Sequence, residues 1–396
     1  MKVIKKKLKN GLRIILVPMK DNPTVTVLVL VETGSKYESP EESGISHFLE
    51  HMCFKGTQKR LKSFDISREL DAIGAQNNAF TSHEFTGYFA KSHPKHVSAI
   101  LDVVSDIYLN PTFPEAEVQK EKGVIIEEMN MYEDLPQRQV YNVFSALLYG
   151  DQPAGRTILG DREVINNATR ESFVQYRAKH YVADATIVVV SGNINPTLVQ
   201  KNIEKAFGHI ATSKKWDKLP VVERQSVVGL QIKQKDTDQT HLMIGVRTFH
   251  ITDKRTPILQ VLSSVLGQGM SSRLFQKLRE EMGVGYYVRT AADEFTDHGY
   301  LSVNTGVDKK RVKEVVEAIM AEFKRLKTEL VSKEELAKVK ESMMGSLVME
   351  LESSDSVAEF VGGQEVLKGA VQTPKEIEKV IRSVTAAQIK TLANII

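Results

Sequence analysis

The sequence predicts a mixed α and β protein made of two related halves, and three observations carry that prediction. The chain has 396 residues, more than a single hydrophobic core usually organises. Apolar runs of strand length alternate with longer stretches of helical period. The order of those elements in the first half recurs in outline in the second.

In the first half, KKKLKNGLRIILVPM sets Asn10-Gly11 between two runs, a strong hairpin signal. TVTVLVLVE (24–32) is β-branched and almost continuously apolar, as a central strand requires. A loop with Pro40 and Ser43 then opens a helix in SGISHFLEHMCFKGT (43–57), and a second helix over 62–73 ends at Gly74. GAQNNAFTSHEFTGYFAKS contains two strands or a hairpin. Helical period returns over 96–109 and, after the break between Pro111 and Pro114, over 115–132. Residues 172–180 are helical, ATIVVVS (185–191) is a buried strand, and 195–207 is a further helix.

The polar stretch 213–225, with Trp216 and Pro220, reads as a linker between an N-terminal domain (1–212) and a C-terminal domain (226–396). Beyond it a strand at 241–247 matches 25–31, and DHGYLSV (297–303) echoes FTGYFA (85–90). Helices at 310–326 and 332–347 repeat the two that follow the first echo. Where the first half has its 47–51 helix, the second has LQVLSSVL.

Composition excludes several classes. Apolar residues make up 41% and charged residues 26% of the chain, with a net charge of +3, ordinary for a globular protein. Five lysines fall in the first ten residues, but no later basic block suggests a nucleic-acid partner. A single cysteine rules out an intrachain disulfide framework and fits a reducing compartment. No signal-peptide pattern and no apolar run of membrane-spanning length are evident, so the expected location is cytoplasmic, with no membrane partner.

The chemistry begins at His47-Phe48-Leu49-Glu50-His51, the inverted zinc-peptidase signature His-x-x-Glu-His. On a helix turning about 100° per residue, His51 lies about 40° round from His47, and Glu50 about 60° to the other side. Three polar side chains then share one face, while Phe48, Leu49 and Met52 can anchor the helix in a core. Two neutral imidazoles suit zinc, but a catalytic site takes three protein ligands and leaves a position for water. Glu50 is placed to take a proton from that water. The bland alternative is a surface helix with two satisfied histidines.

A third ligand must come from elsewhere. Helix 115–132 carries Glu121 and Glu128 seven residues apart and almost superposed in projection, with Glu127 about 100° away. A glutamate on the shared face could supply the ligand; a solvated acidic face is the alternative. Cys53 reads as a buried small hydrophobe. His83 is left between substrate contact and plain surface, and Gly267 and Gly269 form a short turn rather than a phosphate cradle.

Five segments together resemble the pitrilysin, insulysin and mitochondrial processing peptidase family of inverted-motif zinc metallopeptidases, in its short-chain branch. They are SGISHFLEHMCFKGT, GAQNNAFTSHEFTGY, EKGVIIEEM (121–129), GRTILGDREVI (155–165) and SSRLFQKLREEMGVGYYV (271–288). The resemblance implies an α+β fold of two homologous domains, each a mostly antiparallel sheet with helices packed on one face. It implies one zinc ion per chain on His47, His51 and Glu128, with Glu50 as general base and Glu121 supporting from behind the ligands. It also implies that Asn78 and Ala79 pair with extended peptide substrates, and that Arg279 and Tyr286 contact substrate and steady the oxyanion. The C-terminal domain would thus contribute substrate residues without a metal site.

The implied activity is a zinc metalloendopeptidase acting on unfolded or presequence-like peptides inside a chamber, as a homodimer. Two alternatives stand beside it: a catalytically silent peptide-binding or scaffold homologue, and the catalytic subunit of a heterodimer with a metal-free partner. Asp151-Gln152-Pro153 departs from a His-Pro pair found in many relatives, outside the zinc set.

Overall fold

A computed structural model describes residues 1–210, 212–285 and 287–396. Its strands are β1 Ile4–Lys7, β2 Arg13–Pro18, β3 Val25–Val31, β4 Gln76–Thr81, β5 Thr86–Ser92, β6 Thr186–Gly192, β7 Thr240–Thr248, β8 Val288–Glu294 and β9 Gly299–Val307. The helices of the first half are α1 Ile45–Cys53, α2 Ser63–Asp71, α3 Val97–Leu109, α4 Glu115–Glu133, α5 Pro136–Tyr149, α6 Arg162–Asn167, α7 Arg170–His180 and α8 Pro196–Phe207. Those that follow are α9 Thr256–Gly267, α10 Arg273–Phe275, α11 Val312–Thr328, α12 Lys333–Glu350, α13 Ser354–Lys368, α14 Pro374–Ser383 and α15 Ala386–Ala393. The short α10 runs on as a wider π-type turn over Gln276–Glu281.

The chain divides into two compact units, each drawn from three stretches. Unit 1 comprises Met1–Met131, Asp151–Pro220 and Glu350–Val371; unit 2 comprises Tyr132–Gly150, Val221–Met349 and Gln372–Ile396. This differs from the expected continuous domains 1–212 and 226–396. The junction Pro220/Val221 falls inside the 213–225 stretch, but α5 belongs to unit 2 and α13 to unit 1. The long helices α4 and α12, which precede them, each run out of one unit into the other.

Unit 1 holds a six-stranded sheet in the order β1-β2-β6-β3-β5-β4. Only the β2–β6 pair is parallel; the other pairs are antiparallel. Alternation along the strands sorts side chains to two faces. Ile14, Leu16, Val27, Val29, Val188 and Val190 join the core formed with α1, α3, α4, α7 and α8. Ile15, Val17, Leu28, Leu30, Ile187 and Val189 form a second core with Val357, Ala358 and Val361 of α13. Helices therefore cover both faces of this sheet, not one. That is why β3 and β6 read as unbroken apolar runs: strands with both faces buried lose the polar half of their alternation.

Unit 2 holds an antiparallel sheet in the order β7-β9-β8 over a separate core built with α9, α11, α12 and α15. The order β7-β9-β8 reproduces β3-β5-β4, and Tyr300 pairs with Arg247 and Asp293 as Tyr88 pairs with Val29 and Ala79. In unit 2, α9 holds the place that α1 holds in unit 1, and it presents Leu259, Val261, Leu262, Val265 and Leu266 to the core. Neither α5 nor α13 has a sequence expectation behind it. The adjacent Gly362 and Gly363 disfavour a helix by propensity, and α13 forms because Val357, Ala358 and Val361 are buried on the sheet.

Candidate metal centre

Helix α1 is fixed first by its apolar side. Phe48, Leu49, Met52 and Cys53 are fully buried, and the Phe48 ring meets Phe173 of α7 edge-on at 4.8 Å. The polar side that remains carries His47, Glu50 and His51, with the two imidazole centroids 4.7 Å apart. Helix α4 brings Glu128 to the same place. Its Oε2 lies 3.6 Å from His47 Nε2 and 3.7 Å from His51 Nε2, and among the described residues one donor atom of each lies within 4.8 Å of the others. Glu127 is exposed and accepts a bond from Asn130 at 3.4 Å instead.

Those separations are too long for hydrogen bonds. They suit neighbouring ligands of one ion, because zinc bonds of about 2.0–2.2 Å in a tetrahedron set donors roughly 3.4 Å apart. The electrostatics point the same way. Burial, with His51 adding, pushes the His47 pKa down to about 3, so its imidazole is neutral. Burial also raises the Glu128 carboxyl, which His51 only partly offsets. His47 Nδ1 is buried with no hydrogen-bond partner among the described residues. Two nitrogens and one carboxylate oxygen, half-buried and unable to satisfy each other, make a donor set that fits zinc.

Behind His51 lies Glu121, whose Oε1 is 3.0 Å from His51 Nδ1. Its other oxygen pairs with Lys55 at 2.7 Å. Burial opposes ionisation of Glu121, but the bonds from His51 and Lys55 outweigh it and hold the carboxyl below its ordinary value. A carboxylate only accepts, so Nδ1 carries the hydrogen and the Nε2 lone pair is left for the ion.

Glu50 is 9% exposed and raised by burial, although a bond from Thr81 and the proximity of His51 act against that shift. Thr81 Oγ1 donates to Glu50 Oε2 at 2.5 Å. Thr81 ends β4, which among the described residues pairs only with β5 and forms a sheet edge. Asn78 and Ala79 lie on that edge strand, the exposed Asn78 carboxamide accepting from the Ala79 N–H at 2.9 Å.

Cys53 is buried, accepts a bond from the Tyr88 hydroxyl at 3.5 Å, and has its thiol pushed up to about 12, chiefly by burial. His83 shares a hydrogen bond of 2.8 Å with Ser35. Arg279 belongs to unit 2, where it is exposed with its guanidinium 5.1 Å over the Phe275 ring. Tyr286 lies outside the described residues.

Three residues of this centre escape sequence reasoning. Lys55 follows α1 within the same motif, and its distance from Glu121 in the chain hides the pairing. Thr81 carried only the signal of a strand residue near Asn78. Glu38, which caps α1, sits in a loop with no motif.

Two family models match successive stretches of the chain. Residues 13–162 match the profile of Insulinase (Peptidase family M16), and residues 167–343 match the Peptidase M16 inactive domain. The uncharacterized zinc protease YmxG of Bacillus subtilis is 37% identical over 97% of this chain and 93% of its own length. An uncharacterized zinc protease of Rickettsia felis is 33% identical over 98% of this chain and 93% of its own. Among solved structures, a protease from Helicobacter pylori superposes with a TM-score of 0.93 over 99% of this chain and 96% of that one, at 24% identity. A peptidase M16 inactive domain from Pseudomonas fluorescens gives a TM-score of 0.90 over 100% and 95% of the two chains, at 16% identity. At those identities the two structures speak for the fold.

Proposed function

We propose, from the premise that this chain belongs to the insulinase family of peptidases, family M16, that it is a zinc metalloendopeptidase acting on unfolded peptides. One observation carries the reading: His47, His51 and Glu128 present three donor atoms within 4.8 Å of one another, with Glu50 on the same helix as both histidines. His47 Nε2, His51 Nε2 and a Glu128 carboxylate oxygen would hold one zinc ion per chain. Zinc, when bound, supplies Lewis acidity and lowers the pKa of water to about 7.

The protein's own groups do the rest. Glu121 sets the His51 tautomer and ring orientation. Glu50, its carboxyl raised by burial, accepts the proton of the attacking water and returns it to the leaving amine. Thr81 fixes the Glu50 carboxylate in place. The exposed edge of β4, with Asn78 and Ala79, offers main-chain groups to an extended peptide, a pairing that reads substrate shape more than sequence. In this reading Arg279 and Tyr286 serve the substrate and its oxyanion, the chain works as a homodimer, and presequence-like peptides are suitable substrates.

Metal analysis and peptide hydrolysis by purified chain and by E50Q test the proposal. One zinc per chain in both proteins, turnover by the first and none by E50Q, is the expected result. Hydrolysis by E50Q at the parent rate would remove Glu50 from its role. A chain that stays metal-free and inactive after zinc is added would favour a silent peptide-binding homologue. Mass by size-exclusion with light scattering decides the homodimer, and activity that appears only with a second, metal-free chain would replace it by a heterodimer.

A further inference from the structure

The N-terminus of the metal helix is built in an unusual way. The first N–H groups of a helix have no intrahelical partner, and a Ser, Thr, Asp or Asn at the N-cap normally accepts from them. Here the N-cap is Gly44, at φ +96°, and it carries no side chain to do so. None would fit: a Cβ at Gly44 would lie 2.5 Å from the Leu159 carbonyl oxygen and 2.9 Å from Gly160 Cα. The turn at Leu159 and Gly160 is pressed against the start of α1, and Gly160 in turn leaves no room for a Cβ beside Ser43 and Gly44.

The cap comes instead from Glu38, which is 3% exposed. Its Oε2 accepts the Gly44 N–H and its Oε1 the Ser46 N–H, each at 2.8 Å. The Ser46 hydroxyl also bonds to this carboxylate and lies 2.6 Å from the Tyr176 hydroxyl, which is 3.0 Å from Thr33 Oγ1. An ionised carboxylate only accepts, so Ser46 donates to Glu38, Tyr176 to Ser46 and Thr33 to Tyr176. A negative charge at a helix N-terminus is also favoured by the helix dipole.

Helix α1 is only nine residues long. His47 lies in its first turn, directly after Ser46, whereas His51 lies one turn further on and is held by Glu121. Among the described residues His47 Nδ1 has no hydrogen-bond partner of its own, so the backbone of that first turn is what sets its position.

We infer that Glu38 is a positioning residue of the metal centre, holding the first turn of α1 so that His47 stays in register with His51 and Glu128. The inference rests on the zinc-site reading above and adds to it a group that touches neither metal nor substrate. Loss of Glu38 loosens one ligand of three and leaves the other two in place.

The test is cobalt titration of metal-free chain at pH 8, followed by its visible absorption, with wild type, E38Q and N195A. Asn195 caps α8 with comparable geometry, accepting from the Thr197 and Leu198 N–H groups at 3.1 and 3.2 Å, and serves as a control for simple capping loss. E38Q is expected to bind cobalt on the order of tenfold more weakly, a loss of about one helix cap, with altered visible bands. N195A should melt earlier yet bind as wild type does. Wild-type affinity and bands in E38Q would overturn the positioning role alone. A wild-type chain that takes up no cobalt would overturn the zinc-site reading, and the positioning role with it. Should E38Q not fold, E38D, which keeps the charge one methylene short, is judged by the same two outcomes.

Discussion

His51 Nδ1 and Glu121 Oε1 lie 3.0 Å apart, joining the second turn of α1 to a buried carboxylate on α4. Glu121 is 2% exposed and held ionised by His51 and Lys55 against the cost of burial. The pair decides which ring nitrogen of His51 faces Glu128. Removing it with E121A should therefore weaken zinc binding about 10- to 100-fold, measured by competition with a chelator of known affinity. Undiminished affinity would show that the His51 ring is held by packing alone.

Glu127 and Glu128 are neighbours on one helix with different surroundings. E128Q should lose stoichiometric zinc, measured by elemental analysis after gel filtration, while E127Q keeps it. Equal metal content in the two variants would remove Glu128 from the ligand set.

Thr81 donates to Glu50 and thereby lowers a carboxyl that burial raises. With the hydroxyl replaced in T81V, the Glu50 pKa should climb further, so the acid limb of the pH–rate profile moves to higher pH. We expect kcat to fall about tenfold, the scale of one lost bond to a charged group, with zinc content unchanged. An unmoved acid limb would count against Glu50 as the group that must be ionised.

Glu38 also makes a prediction about stability and pH. Burial raises its carboxyl to about 7, against the bonds from Gly44 and Ser46 and with Glu42 adding to the rise. An unfolded glutamate titrates near about 4.3. Between these values the folded chain holds the extra proton, so this group's contribution to stability declines as pH rises through the window and is constant above it. The melting temperature of wild type relative to that of E38Q, measured in chelator, should fall steadily from pH 5 to pH 8. A difference independent of pH would show that Glu38 titrates normally.

Gly362 and Gly363 of α13 should respond oppositely to alanine. A Cβ at Gly362 would lie 2.6 Å from Leu30 Cδ1 and 3.2 Å from Val189 Cγ2, whereas at Gly363 nothing lies within 4 Å. G363A should stabilise by up to about 1 kcal/mol through helix propensity. G362A should cost roughly 1–2 kcal/mol, overpacking outweighing that gain, as read from urea denaturation. Stabilisation by G362A would mean that α13 does not press on the sheet as described.

Much of this centre is legible in the chain itself. His47, Glu50 and His51 fall within five residues on one helix, and local periodicity alone puts their side chains on one face. Glu121 and Glu128 share a face of α4 for the same reason. The apolar run of β3, the Asn10-Gly11 hairpin and the repeat of strand order are likewise local patterns, and they delivered two related halves.

What periodicity could not reach lies in groups brought together from distant parts of the chain. That α13 seals the far face of the unit 1 sheet, and that α5 belongs to unit 2, depend on where two long helices deliver their ends. That Thr81 meets Glu50, that Lys55 meets Glu121, and that Glu38 caps a helix whose own N-cap has no room for a side chain, depend on backbone approaches such as that of Gly44 to Gly160. The sequence by itself determined which residue types could hold and use a metal, because ligand chemistry and helical spacing are local. Only the tertiary structure brings Glu128 rather than Glu127 beside the two histidines and sets what packs against each of these residues, because those choices are made by close packing between segments far apart in the chain.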